Sequence, residues 1–293
     1  MAPIDFAAHG LNIASMLPSA EEDYNQHVGL YDKNFSKPFT DNYLPKCIES
    51  SQDISITEGF RPPRMLDLGC GLAPMGLALL KYQIACNQVL KVSPDIQYVG
   101  IDIRKDAIEK CQKRYASHEG FKFVLHDTDC NVDYIGENFE NKGIQSTLVS
   151  SDGSECKYSL DFEFQADIQW SCSLFTHLTL EGAKKALEFT ATSITQSGIS
   201  VNTWMLADSM SLLGMTGGAA DRCPEAYMNQ TFVISKNNPL LCTIHRLDLV
   251  RKLYAEAGLE IIKIERGSWR GGSYKNSFNH NQDIIVARRA DNR

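Results

Sequence analysis

The residues with the clearest chemical meaning lie in one short run, Met65-Leu66-Asp67-Leu68-Gly69-Cys70-Gly71. An apolar strand runs into a glycine turn that opens a helix. Glycines let the backbone approach a ligand closely, and the start of a helix offers unpaired N–H groups. On its own a G-x-G is also the mark of a tight strand-to-helix turn. Two acids sharpen it. Asp67 lies two residues before the first glycine, a poor neighbour for a diphosphate and a suitable partner for a cation. Asp102 ends the next strand-like segment, where a carboxylate can accept both hydroxyl hydrogens of a ribose.

A nicotinamide dinucleotide and S-adenosylmethionine compete for such a turn. The dinucleotide fingerprint has a third glycine three residues on and an acid about 20 residues further. Here the third position is Pro74, and Asp102 stands 31 residues beyond Gly71. S-adenosylmethionine carries an ammonium and a sulfonium and needs no phosphate cradle, so an acid ahead of the glycines favours it. The oxidoreductase alternative predicts stabilisation by the dinucleotide and none by S-adenosylhomocysteine.

Other residues could act on an acceptor. Methyl transfer is an in-line displacement at a carbon the donor already activates, so the protein must align and desolvate the acceptor. A hydroxyl acceptor must also lose its proton, which a histidine or carboxylate can take. His177, a few residues after a predicted strand, is the first candidate base; its alternative is a packing or capping histidine. Asp283 and His280 come second, with a solvated turn as their alternative. Trp204, Trp269 and Tyr274 could wall a sugar or planar acceptor, or could belong to the core. Arg270 could bind an anionic substituent or be an ordinary surface arginine. His126, Asp127 and Asp129 have the chemistry of a divalent-ion site, but acids at a strand end are commoner as caps, so no metal is expected.

The elements that must position these residues alternate. Arg64–Leu68, 97–103, Phe121–Leu125, 166–172 and 198–204 read as strands; 75–90, 105–117 and Leu180–Ser193 read as helices. That alternation specifies a parallel sheet with covering helices. The tail differs: a helix over 246–257 is closed by Gly258, then strands at 259–266 and Asp283–Arg289 follow with no crossover helix, so they pair antiparallel. Residues 1–63 form a separate extension with helices expected at 20–30 and 41–50, either a lid or a homodimer contact. Two long polar insertions, 130–165 and 207–244, fall after strand ends and are read as lids over the methyltransferase-like domain of 64–293.

LDLGCG resembles the first motif of the class I S-adenosylmethionine-dependent methyltransferases, VGIDI their second, and His126-Asp127-Thr128-Asp129 their third. The resemblance covers about 64–289. It implies a doubly wound, seven-stranded, mostly parallel α/β sheet (the Rossmann-like methyltransferase fold) with an antiparallel last strand. It also implies a donor site in which Asp67, Gly69, Cys70 and Gly71 meet the carboxypropyl end. Asp102 would hold the ribose, Ile103 would pack on adenine, Asp127 or Thr128 would lie near its amino edge, and Ser171 would lie beside the donor. Within this class, the run Ser173-Leu174-Phe175-Thr176-His177-Leu178 looks like the signature of a bacterial subgroup associated with glycan biosynthesis. Asn131, Tyr134 and Gly136, Gly267-Ser268-Trp269-Arg270 and Gln282-Asp283 echo it too.

Composition narrows the rest. With 29 basic against 36 acidic residues in 293, net charge −7, the chain is unsuited to coating nucleic acid by charge. Nine cysteines form no CxxC pair, which argues against a zinc ribbon or a disulfide framework. No apolar run approaches the ~20 residues of a membrane span, and the first residues lack a basic signal region. The expectation is a cytoplasmic enzyme, O-methylating a small hydroxylated molecule or sugar, without nucleic acid. The alternatives are N- or carboxyl-methylation on the same fold, and a non-catalytic donor-binding module.

Overall fold

The computed structural model describes residues 64–73, 75–76, 79–80, 96–126, 158–208, 225–227, 231–233, 242–270 and 281–290. The expected helices of 1–63, most of both insertions, Asp127, Thr128, Tyr274, His280 and the Arg270 side chain lie outside the described residues.

Seven strands form the main sheet: β1 (Arg64–Leu68), β2 (Gln97–Asp102), β3 (Phe121–Leu125), β4 (Ala166–Ser171), β5 (Ile194–Trp204), β10 (Leu259–Glu265) and β11 (Asp283–Arg289). Their order is β10-β11-β5-β4-β1-β2-β3. β1 to β5 are mutually parallel, while β11 runs antiparallel to both β5 and β10. The reversed tail and the doubly wound α/β fold are therefore as expected. β1 is central, with Met65 to Leu68 all buried, as a strand covered on both faces requires.

The two-residue period divides the core. Met65, Tyr98, Ile168 and Trp170 face one side, with Ile108 and Cys111 of α1 (Lys105–Arg114). Leu66, Leu68, Val99 and Ile101 face the other, against Ala183, Ala186 and Leu187 of α2 (Leu180–Ser193) and Val250 and Tyr254 of α3 (Leu247–Glu256). Thr179 caps α2 by accepting the Gly182 N–H at 3.0 Å. Gly258 closes α3 at φ +76°.

Two elements differ from expectation. β5 begins at Ile194, not Gly198, because the exposed Gln196-Ser197 pair lies across an irregularity in its pairing with β4 and breaks the apolar pattern. The stretch 207–244 is not all loop. It contributes to a second, four-stranded sheet, ordered β6-β9-β8-β7: β6 (Leu206–Ala207), β7 (Glu225–Tyr227), β8 (Thr231–Val233) and β9 (Thr243–Arg246). Among the described residues no helix is long and apolar enough to cross a membrane.

Candidate donor and acceptor site

The glycine turn sits at the carboxyl end of β1, where parallel sheets bind ligands. Gly69 and Gly71 adopt φ +73° and +54°, conformations that L side chains rarely take. The Gly69 and Cys70 N–H groups both donate to the Ile101 carbonyl, at 2.8 and 3.0 Å, tying the turn to the end of β2. Asp102 completes this tie. Its two oxygens accept the Gly71 N–H at 2.7 Å and the Arg104 N–H at 2.8 Å. A carboxylate has about four acceptor positions, and among the described residues these two N–H groups take two of them. Burial raises the Asp102 pKa, and those two backbone N–H groups pull against it.

Asp67 points to the opposite face from its neighbours Leu66 and Leu68. It is buried and takes a 2.6 Å hydrogen bond from the Tyr98 hydroxyl. Burial pushes its carboxyl up to about 7, with the Tyr98 hydroxyl opposing and the Asp102 charge adding to the rise. Ile103, the expected adenine contact, is half-buried just past β2. At the end of β3, His126 donates its backbone N–H to the Asp102 carbonyl at 2.8 Å and stacks on Tyr158 at 4.1 Å.

The segment after β4 meets this turn. A Cβ placed on Gly69 would lie 3.4 Å from Leu174 Cδ1, so Leu174 packs on the glycine turn itself. Phe175–His177 then form a single 3-10 turn, with Phe175 and Thr176 buried and His177 half-buried at its end. The Phe175 carbonyl is held from β9: His245 Nε2 lies 3.2 Å from it, and the Thr243 hydroxyl donates at 3.5 Å.

Four expectations for side chains are corrected. Ser171 does not face a ligand; its hydroxyl donates at 2.7 Å to Asn202 Oδ1 in a buried polar seam with Gln169, Ser200 and Tyr254. Trp204 belongs to the core, stacked on Phe175 at 4.2 Å with its indole N–H on the Tyr254 hydroxyl. Trp269 is equally enclosed, and its indole N–H donates to Asp283 at 2.7 Å. Asp283 itself is wholly buried and accepts from Leu206 N at 2.8 Å, Gly267 N at 2.9 Å and the Trp269 indole. A carboxylate occupied by three donors anchors loops and is poorly placed to take a substrate proton. Gln169 and Asn202 were not singled out beforehand, and Gln282 only as an echo of the subgroup, without a role. Buried amides within a strand pattern were the available signal for the first two.

A family model described as "mRNA (guanine-N(7))-methyltransferase domain" matches residues 39–179, a little under half of the chain. The solved structure of an S-adenosylmethionine-dependent methyltransferase from Clostridium acetobutylicum aligns at TM-score 0.50 and 11% identity, over 91% of this chain and 99% of that one. The magnesium protoporphyrin IX methyltransferase of Synechocystis, solved with bound S-adenosylhomocysteine, aligns at TM-score 0.46 and 12% identity, over 90% and 89%. A search of curated protein sequences found no significant match. The likeness to the clostridial structure shows the fold. The family-model match, with the glycine turn inside it, marks a methyltransferase enzyme with S-adenosylmethionine as methyl donor.

Proposed function

We propose that this enzyme transfers the methyl group to a hydroxyl oxygen of a small molecule or sugar precursor, with His177 as the base. The carrying observation is the position of His177. It ends the 3-10 turn that follows β4, three residues beyond the Leu174 that packs on the glycine turn. An imidazole there could take the hydroxyl proton as the new C–O bond forms.

Donor binding falls to Asp67, Gly69, Cys70, Gly71, Asp102 and Ile103. Asp67 supplies the negative charge that a cationic amino-acid end requires, and Asp102 the acceptors for a ribose. Alignment by such a site can supply roughly 7–11 kcal/mol of the barrier. The donor brings the activated methyl carbon; the chain orients both reactants and shields them from water. The likeness of the 173–178 run to glycan-associated enzymes supports a sugar acceptor.

A second reading is favoured by the family-model match: methylation of guanine N7. That nitrogen is already a free nucleophile and needs no base. Incubation with methyl-labelled S-adenosylmethionine and a panel of sugars, organic acids, guanosine nucleotides and capped dinucleotides separates the two. Label on a hydroxyl oxygen is expected; label on guanine N7 alone overturns the first reading and establishes the second.

A further inference from the structure

Two sequence segments singled out above, Gly267-Ser268-Trp269-Arg270 and Gln282-Asp283, have no role in the donor site. The structure ties them into one unit. A Cβ on Gly267 would lie 2.1 Å from the Asn281 carbonyl oxygen and 2.3 Å from Gln282, so only glycine lets these two backbones meet. The Trp269 N–H donates to the Asn281 carbonyl at 2.8 Å. Asp283 then gathers Gly267, Trp269 and Leu206 around its carboxylate. A long side chain leaves this unit toward the acceptor segment: Gln282 donates its amide to the Ser173 hydroxyl at 2.9 Å, across 109 residues of sequence.

Ser173 is the residue at which the chain turns after β4. Its φ is +57°, a left-handed conformation that non-glycine residues rarely adopt. Besides a contact of its hydroxyl with the adjacent Cys172 Sγ at 3.8 Å, three hydrogen bonds hold it there. The Ser173 N–H donates to Thr203 Oγ1 at 2.7 Å, the Ser173 carbonyl accepts from the Thr176 hydroxyl at 2.9 Å, and Gln282 takes the side chain. All four residues are buried. The direction set at Ser173 carries Leu174 onto Gly69 and His177 to the end of the turn.

We infer that Gln282 is a positioning residue for methyl transfer: through the Ser173 hydroxyl it holds the post-β4 turn in its left-handed shape against the glycine turn. This rests on the methyltransferase reading above. The unit built around Asp283 exists, on this view, to deliver one amide to one hydroxyl.

The test uses the full chain with Gln282→Leu, Ser173→Ala, Ser173→Gly and the pair Gln282→Leu with Ser173→Gly. Three readouts are taken: S-adenosylhomocysteine affinity by calorimetry, hydrogen exchange of peptides spanning 171–178, and labelled methyl transfer to the acceptor panel. Gln282→Leu and Ser173→Ala should each speed exchange in that segment and lower kcat by about tenfold or more, with donor-product affinity and acceptor KM within about threefold. In the Ser173→Gly background, Gln282→Leu should change nothing further, because the hydroxyl it holds is gone. Unchanged exchange, additive effects, or a loss confined to acceptor KM overturns the inference. Should Gln282→Leu not fold, Ser173→Ala tests the same bond from its other end. If the wild type methylates no panel member, the acceptor reading fails, while exchange alone still decides the clamp.

Discussion

Tyr98 of β2, in register with Met65, reaches diagonally to Asp67 of β1, its phenolic hydroxyl donating to the buried carboxylate at 2.6 Å. Burial holds the carboxyl beside the donor turn up at about 7, against the opposing pull of that hydroxyl. A cation bound beside it favours the ionised form, so binding below that pH must expel a proton. S-adenosylhomocysteine affinity should climb by up to about tenfold from pH 6 to 8, roughly half of the final affinity being reached at 7, and level off above. Calorimetry in buffers of different ionisation heat should show proton release at pH 6 and little at pH 8. A flat profile would separate Asp67 from the ammonium.

The same group opposes stability as pH rises. A folded-state pKa raised above the unfolded 3.8 means the folded chain holds a proton the unfolded chain has lost. Its contribution is complete below about 4 and disappears through 7. Asp67→Asn removes the titration. Its stability relative to wild type should therefore increase between pH 5 and 8, by up to roughly 3 kcal/mol in urea melts.

His245 acts with the opposite sign. Burial pushes its imidazole down to about 4, with the Phe175 carbonyl opposing. The unfolded chain takes up the proton first, so the stability held by neutral His245 is complete above 6.5 and lost as pH falls toward 4. Wild type should lose about 3 kcal/mol over that window relative to His245→Asn. Equal pH slopes for the two proteins would refute a buried neutral imidazole.

Asp102→Ala removes the acceptors proposed for the ribose, and with them the anchors of Gly71 and Arg104. S-adenosylhomocysteine binding should weaken by about 1.5–3 kcal/mol, the range for hydrogen bonds to a charged group. Unchanged affinity in calorimetry would mean that the ribose is held elsewhere.

How far these features could be read in advance depends on the range of the interactions that make them. β1 and β2 carry short apolar cores (Met65-Leu66 and Tyr98-Val99), and the glycine turn is written in consecutive residues, so both could be located without coordinates. The reversed β11 followed from the missing crossover helix. β6 to β9 are two to four residues each and pair only through tertiary contact, which leaves no period to count. Asp283 and Trp204 look the same in sequence whether they face a substrate or the core. Only the three donors around the first and the Phe175 ring against the second decide between those roles. The Gln282–Ser173 bond depends on two loops meeting across β11, β5 and β4, a juxtaposition no local pattern encodes.

His177→Ala is the substitution that separates the two acceptor chemistries. The Phe175 carbonyl is fixed by Thr243 and His245, and the Ser173 carbonyl by Thr176, so the 3-10 turn keeps its shape without the imidazole. Donor binding at the glycine turn should then stay within about twofold of wild type. If a hydroxyl is the acceptor, turnover should fall by about 10²–10⁴, the span of general base catalysis, with the loss smallest at high pH, where more of the acceptor is already ionised. If guanine N7 is the acceptor, the nitrogen attacks unaided and turnover should change only a few-fold, with no added pH dependence. Single-turnover rates with labelled donor from pH 6 to 9, for wild type and His177→Ala side by side, distinguish these results. A pH-independent ratio near unity would leave His177 a packing residue and remove the base from the proposed reaction.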